Sequence, residues 1–287
     1  MVRFIFANLV PANATSHYTN TLATIKKMND KELIRSINDK IVSIYETEKL
    51  IPLRGENDSY ELNGKQILMW FNEITRHCWC NFNSHFNYDK NIDDLLFTSD
   101  EIVYFTAHLY FYKPYINTPI KDAYYTGTTM IYPVFGNLEG KRYEMYIGVV
   151  FEKIYNYWDR IGDLIASYFP KKFKGNVYFS QTVKALENDY KGNFDYDWLL
   201  NFVNNEFSEF NKERINIVHY ISKSTEQKWE QLGHITDYAK TKFLNDKRLS
   251  FPDYFKNMNE LTKVGFEKTV NLLEEINKRE NYNCDKK

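Results

Sequence analysis

The chain has 287 residues and a formal net charge of −1, from 37 basic and 38 acidic side chains. This balance excludes a basic surface that covers the whole protein, so any site for a polyanion has to be local. Glycine and proline are rare, at 11 and 7 residues, and aromatic residues make up 17% of the chain. That composition argues against disorder and favours long helices packed through thick aromatic layers, in one large domain or two ordinary ones.

The first fourteen residues superficially resemble a secretory leader, because one basic residue and a short apolar run precede small residues. The apolar run is only as long as the shortest leader core and contains Asn8, so we interpret it as a buried strand or packing segment. No run approaches the ~18 apolar residues of a membrane span. We expect a soluble, cytoplasmic protein, since the cysteines are too few for a disulfide scaffold: Cys78, Cys80 and Cys284.

The N-terminal part of the sequence predicts helices separated by loops. Apolar residues three and four positions apart indicate a helix or helical pair over residues 16–49. A loop at residues 51–58 precedes further helical patterns over residues 65–84 and 93–112. Residues 112–142 are rich in proline, glycine, threonine and tyrosine, which favours a loop, a linker or a small β-hairpin.

The C-terminal part contains the clearest helical pattern, an unbroken apolar stripe over residues 145–169 that Pro170 ends. The same periodicity predicts more helices, over residues 180–188, 195–223, 225–243 and 257–278. The sequence therefore predicts an all-α fold. We place a boundary near residue 140, between a helical N-terminal region, 1–140, and a C-terminal helical domain, 141–287.

An arginine and a histidine, Arg214 and His219, interrupt a strongly patterned apolar segment. Arg214 occupies a position that the three-four repeat reserves for the core. A guanidinium at such a position needs an anion, several carbonyls or a solvent-filled interface, because burying it unpaired is unfavourable. Histidine is the side chain most easily set to titrate near neutral pH. These two residues are therefore the first candidates for chemistry.

A long aromatic helix that contains Tyr157-Trp158-Asp159-Arg160-Ile161-Gly162-Asp163, followed by a helix with Arg-x4-His, resembles the HEPN superfamily (higher eukaryotes and prokaryotes nucleotide-binding). The resemblance covers residues 143–245. It implies a HEPN-like helical bundle in the C-terminal half. Many members of the superfamily are metal-independent ribonucleases of toxin–antitoxin, phage-defence or RNA-processing systems.

The resemblance also implies roles for single residues. His219 would be the general acid or base at a ribose 2′-OH, and Arg214 would stabilise the phosphate. Asn216 and Tyr220 would be auxiliary substrate-binding groups. The implied partners are RNA or a nucleotide, a second copy of the chain in a homodimer, and an antitoxin or regulatory protein; no metal, cofactor or membrane is implied.

Two departures from the superfamily pattern keep an alternative open. Ile215 follows the arginine, where active members commonly have a polar residue, and Tyr220 follows the histidine directly rather than two positions later. The alternative is a non-catalytic helical module that binds a nucleotide or a protein. Arg214 would then form an ion pair with Asp159 or Asp163 across the bundle, and His219 would be an ordinary histidine.

Convergence of dispersed basic residues would favour the nuclease interpretation. These residues are Lys171, Lys172, Lys174, Lys240, Lys242, Lys247 and Arg248. A second cluster, His77-Cys78-Trp79-Cys80 with His85, offers zinc-ligand types, but its spacing does not match paired ligands. Buried cysteines in an aromatic helix are the preferred interpretation of that cluster.

Overall fold

A computed structural model describes residues 30–76, 86–132, 137–173, 177–219 and 223–284. Within these ranges the fold is all-α, as the sequence predicts. The helices are α1 (Asp30–Glu48), α2 (Ile67–Arg76), α3 (Tyr88–Tyr112), α4 (Leu138–Ser167), α5 (Phe179–Ala185), α6 (Glu187–Tyr190), α7 (Phe194–Asn204), α8 (Glu206–His219), α9 (Lys223–Gly233), α10 (Tyr238–Leu249) and α11 (Phe251–Cys284). No helix in the described part of the chain is both long enough and apolar enough to cross a membrane.

Two small antiparallel hairpins interrupt the helices. The first pairs β1 (Glu61–Leu62) with β2 (Lys65–Gln66), and the second pairs β3 (Tyr124–Thr126) with β4 (Thr129–Ile131). Gly127, with φ 62°, occupies the turn of the second hairpin, where a left-handed backbone favours glycine. The hairpin confirms that residues 112–142 include a small β-element.

The chain forms two compact units, residues 1–43 and 44–287. The described part of the first unit is the beginning of α1, residues 30–43. The second unit holds every site discussed below. The predicted boundary near residue 140 stays a prediction; residues on both sides of it share one hydrophobic core, for example Leu95 on α3 and Ile154 on α4.

Helix α4 is the central element of the second unit. Asn137 caps its N-terminus by accepting a hydrogen bond from the Gly140 amide at 2.9 Å. Its predicted apolar stripe is buried: Ile147, Val150, Phe151, Ile154, Trp158, Ile161, Ile165 and Tyr168. Burying such a stripe on several neighbouring helices supplies most of the driving force for a helical fold.

Helix α8 packs antiparallel against α4. The ring centroids of Phe151 and Phe210 are 5.3 Å apart, and Tyr155 stacks on Phe207 at 6.2 Å. One turn earlier on α4, Gly148 faces the side chain of Ile217. The residue numbers fall along α4 as they rise along α8, so the arginine-containing turn of α8 lies beside the middle of α4.

The prediction of one helix over residues 195–223 is wrong, because the chain breaks between α7 and α8. At Asn205 the backbone leaves the helical region, with φ −111° and ψ −93°, and its side-chain amide donates to the carbonyl of Asn201 at 3.0 Å. Short polar side chains compete with helical hydrogen bonding in this way. The apolar periodicity continues through the break, which is why the pattern did not reveal it.

The predicted helix over residues 225–243 is also two helices, α9 and α10. It breaks after Gly233, and Asp237 caps the new helix by accepting from the Lys240 amide at 3.0 Å. Glycine followed by a capping aspartate is the ordinary signal for such a break.

Candidate functional site

The C-terminal half of α4 contains the segment from Tyr157 to Asp163, which carries much of the superfamily resemblance, and its large rings are buried. Trp158 is 0% exposed, and a Cβ at Gly265 of α11 would lie 2.2 Å from its Cη2. Tyr157 donates from its hydroxyl to the carbonyl of Thr262 at 3.2 Å. Both residues therefore lock α4 to α11, which is a structural role.

Polar and glycine positions of the same segment hold the start of α5. The Phe179 amide donates to Oδ1 of Asp159 at 3.3 Å. A Cβ at Gly162 would lie 2.7 Å from the Cα of Phe179, so only glycine allows the backbones to approach this closely. Arg160 forms an ion pair with Asp94 of α3. Each of these residues has a partner within the fold.

Asp163, at the end of the segment, is the carboxyl group with the largest electrostatic perturbation here. Its pKa is raised to about 6, mainly by burial, with the attraction of Arg160 opposing the rise and the nearby charge of Asp159 adding to it. Burial likewise raises the pKa of Asp159, against the hydrogen bond from Phe179 and the attraction of Arg214. The charge of Asp159 is therefore near enough to disfavour the ionised form of Asp163.

Arg214 stacks on an aromatic ring instead of forming an ion pair. Its Cζ lies 4.0 Å from the ring centroid of Tyr155 on α4, and its Nε is buried without a hydrogen-bond partner in the part of the chain that the structure describes. None of the ion pairs among the described residues includes Arg214. A stacked guanidinium keeps its edge free, so Arg214 can offer hydrogen-bond donors to an anion.

Among the described residues, Arg214 forms no ion pair with Asp159 or Asp163, which is the contact that the alternative interpretation expects. Arg214 does lower the pKa of Asp159, but only as a charge at longer range. Tyr155, the residue that does hold the guanidinium, was missed by the sequence reasoning. It follows Phe151 by four residues on α4, so the helical repeat carried a signal for it.

The other candidate residues lie at or beyond the end of α8. Asn216 is exposed. His219 is the last residue of α8, and its side chain, like the whole of Tyr220, lies outside the described residues. In a regular helix five residues advance about 7.5 Å and about 140°. Arg214 and His219 of one copy therefore belong to different sides of α8.

Lys212, Asn216 and His219 share one side of α8, because four and seven residues complete about one and two helical turns. That side continues into an open cleft with a volume of about 490 Å³, between α4, α8, α9, α10 and α11. Phe151 and Phe251 form its apolar part, and Gln227 of α9 lines it as well. The sequence reasoning missed this cleft, since its walls come from five helices.

The basic residues whose convergence would favour the nuclease interpretation do not form one rim. Arg248 is buried and pairs with Glu144, near the start of α4, at 2.8 Å. Lys172 follows the end of α4 and pairs with Asp189 at 2.7 Å. Glu144 and the last residue of α4, Ser167, are about 35 Å apart along the helix axis. Lys174 lies outside the described residues.

Within the described ranges, no group of three or more histidine, cysteine, aspartate or glutamate residues could hold a metal ion. The cluster from His77 to His85 lies outside those ranges.

Comparisons of the chain with family models, with curated proteins and with solved structures gave no match.

Proposed function

We propose that the chain is a HEPN-like, metal-independent endoribonuclease that acts as a homodimer. The observation that supports this most is the state of Arg214: a permanently charged guanidinium fixed on the Tyr155 ring, with a buried Nε that lacks a hydrogen-bond partner. A preorganised donor of this kind favours the charge that develops on a phosphate during cleavage. The resemblance to the superfamily supplies the role of the histidine.

The proposed reaction uses the chain's own side chains for proton transfer and charge stabilisation. His219 removes the proton from a ribose 2′-OH, and the 2′-oxygen attacks the adjacent phosphorus. The bond from phosphorus to the 5′-oxygen breaks, and the leaving oxygen receives a proton from a second, protonated imidazole. The products are a 2′,3′-cyclic phosphate and a 5′-hydroxyl end. Arg214 donates hydrogen bonds to the phosphate oxygens throughout.

The proposed homodimer would combine the arginine of one copy with the histidine of its partner. One copy separates Arg214 from His219 by about 140° around α8. Two copies related by a two-fold axis place one α8 end against the other, so that the arginine of one copy can meet the histidine of its partner. The same arrangement supplies the second imidazole that the reaction needs.

The test is cleavage of a mixed RNA pool by the purified chain in the presence of a chelator. The wild type should cut the RNA, and His219→Ala and Arg214→Ala should each lower the rate at least about a hundredfold. Arg142→Ala, which removes an exposed arginine near the start of α4, is the matched control and should cut normally. Intact RNA with the wild type, or normal cutting by His219→Ala, would refute the nuclease.

A second candidate function is a non-catalytic HEPN-like module that binds a nucleotide or a protein partner. Ile215, which is 36% exposed beside Arg214, is the observation that favours it, because a polar residue would be expected next to a phosphate site. Under this alternative, a toxin–antitoxin or phage-defence role would rest on binding alone. If the wild type binds the RNA pool but does not cleave it, this second function is supported.

A further inference from the structure

The cleft beside α8 contains a buried acceptor that has no hydrogen-bond partner among the described residues. Gln227 is only 3% exposed, and its side-chain oxygen, Oε1, has no hydrogen-bond partner. A buried amide oxygen left in this state is unfavourable, because it has lost its hydrogen bonds to water. Because Gln227 lines the cleft, a ligand that donates an N–H there would remove this penalty.

The charged groups of the cleft define what such a ligand looks like. Glu209 and Glu213 lie on one wall, and both raise the pKa of Tyr254, which burial brings to about 12. Lys212 and Lys247 also line the cleft, and both are exposed. The opposite charges balance, which disfavours a polyphosphate. The wall with the two glutamates offers mainly hydrogen-bond acceptors. The two exposed lysines can bind one or two phosphate groups.

The apolar part of the cleft is aromatic. The ring of Phe151 lies 6.1 Å from each of the rings of Phe251 and Tyr254. Flat heteroaromatic groups bind well against such rings, and stacking of a base on an aromatic side chain is sequence-tolerant. The volume of about 490 Å³ falls within the usual range for small-ligand sites.

From these contacts we propose that the cleft is the base-binding subsite for a single-stranded RNA, and that it prefers bases with an exocyclic amino group over uracil. Adenine, cytosine and guanine can donate from an amino group to Oε1 of Gln227. Uracil has one N–H donor between two carbonyl acceptors. Lys212 contacts a flanking phosphate, on the same side of α8 as His219. This proposal rests on RNA being the ligand of the proposed nuclease.

The experiment measures binding separately from cleavage. Short single-stranded A, C and U oligomers with 2′-O-methyl groups cannot be cut through the 2′-OH, and their binding is followed by fluorescence anisotropy. The wild type should bind the A and C oligomers about tenfold more tightly than the U oligomer. Gln227→Leu should remove this preference and leave U binding unchanged. Equal binding of the three oligomers by the wild type would overturn the proposal.

Matched variants keep the result interpretable. Gln227→Glu retains an acceptor and should retain the preference, so the effect of leucine is not a general disturbance of the cleft. Lys212→Ala should weaken binding of all three oligomers equally and reduce the salt dependence. Preference without RNA cleavage would uphold the subsite and refute the nuclease. Cleavage without any preference, unchanged in Gln227→Leu, would refute the subsite alone.

Discussion

The two segments that suggested a HEPN-like function differ in how the fold uses them. On α4, the segment from Tyr157 to Asp163 is occupied by internal contacts, with a buried hydroxyl bonded to α11 and a carboxylate that caps α5. On α8, Arg214 is stacked on a ring but lacks an ion pair among the described residues, with an unsatisfied Nε. A motif can therefore mark a scaffold as readily as a site, and what separates these two segments is a charged group that has no ion-pair partner among the described residues.

The largest expected effect is steric and lies in the α4 segment. Gly162→Ala should lower the free energy of unfolding by about 3 kcal/mol, because the new Cβ meets the backbone of Phe179. Chemical denaturation followed by circular dichroism measures the change. Gly233→Ala is the control: nothing lies within 4 Å of a Cβ there, so stability should stay the same or rise. A neutral Gly162→Ala would mean that the α4 segment is not a tight scaffold.

Removal of one hydroxyl from the α4 segment should have a smaller effect. Tyr157→Phe should lower the free energy of unfolding by about 1 kcal/mol, because the buried bond to the Thr262 carbonyl is lost. Urea denaturation of both proteins gives the difference. Tyr125→Phe, at a tyrosine that is 68% exposed, should change nothing. An equal loss at both positions would show that burial is not the cause.

Removal of the α8 guanidinium should barely change the free energy of unfolding. Arg214→Gln loses a cation–π contact with Tyr155, which is worth about 0.5–1 kcal/mol, and leaves no carboxylate without an ion-pair partner in the described structure. Thermal and urea denaturation measure this. A loss above about 3 kcal/mol, the size expected for a broken buried ion pair, would show that Arg214 is a structural residue after all.

A pH dependence is also expected in the α4 segment. In the folded protein Asp163 holds its proton up to a pKa of about 6, whereas an unfolded aspartate releases it near about 3.9. Its contribution to stability therefore falls as the pH rises through that window. Asp163→Asn should remove this fall. The free energy of unfolding of the variant should therefore exceed that of the wild type by an amount that grows from pH 4 to pH 6.5. An advantage that does not vary with pH would contradict the raised pKa.

The sequence predicted the all-α class and the central helix because apolar periodicity is a local signal. It did not predict the breaks at Asn205 and after Gly233, where side-chain hydrogen bonding and capping override a continuous stripe. It singled out Arg214 correctly as a polar intrusion, but its stack on Tyr155 depends on the register between α4 and α8. The cleft with Gln227 was beyond reach, since residues far apart in the chain form it.

We infer that α4 supplies the scaffold and that α8 supplies the proposed chemistry. The most direct test compares Arg214→Gln and Tyr157→Phe in one RNA cleavage assay, with the unfolding free energy of each protein measured alongside. Arg214→Gln should lose at least about a hundredfold in cleavage rate and keep its stability, while Tyr157→Phe should lose stability and keep its cleavage rate at a temperature where it is folded. Normal cleavage by a well-folded Arg214→Gln would contradict the claim.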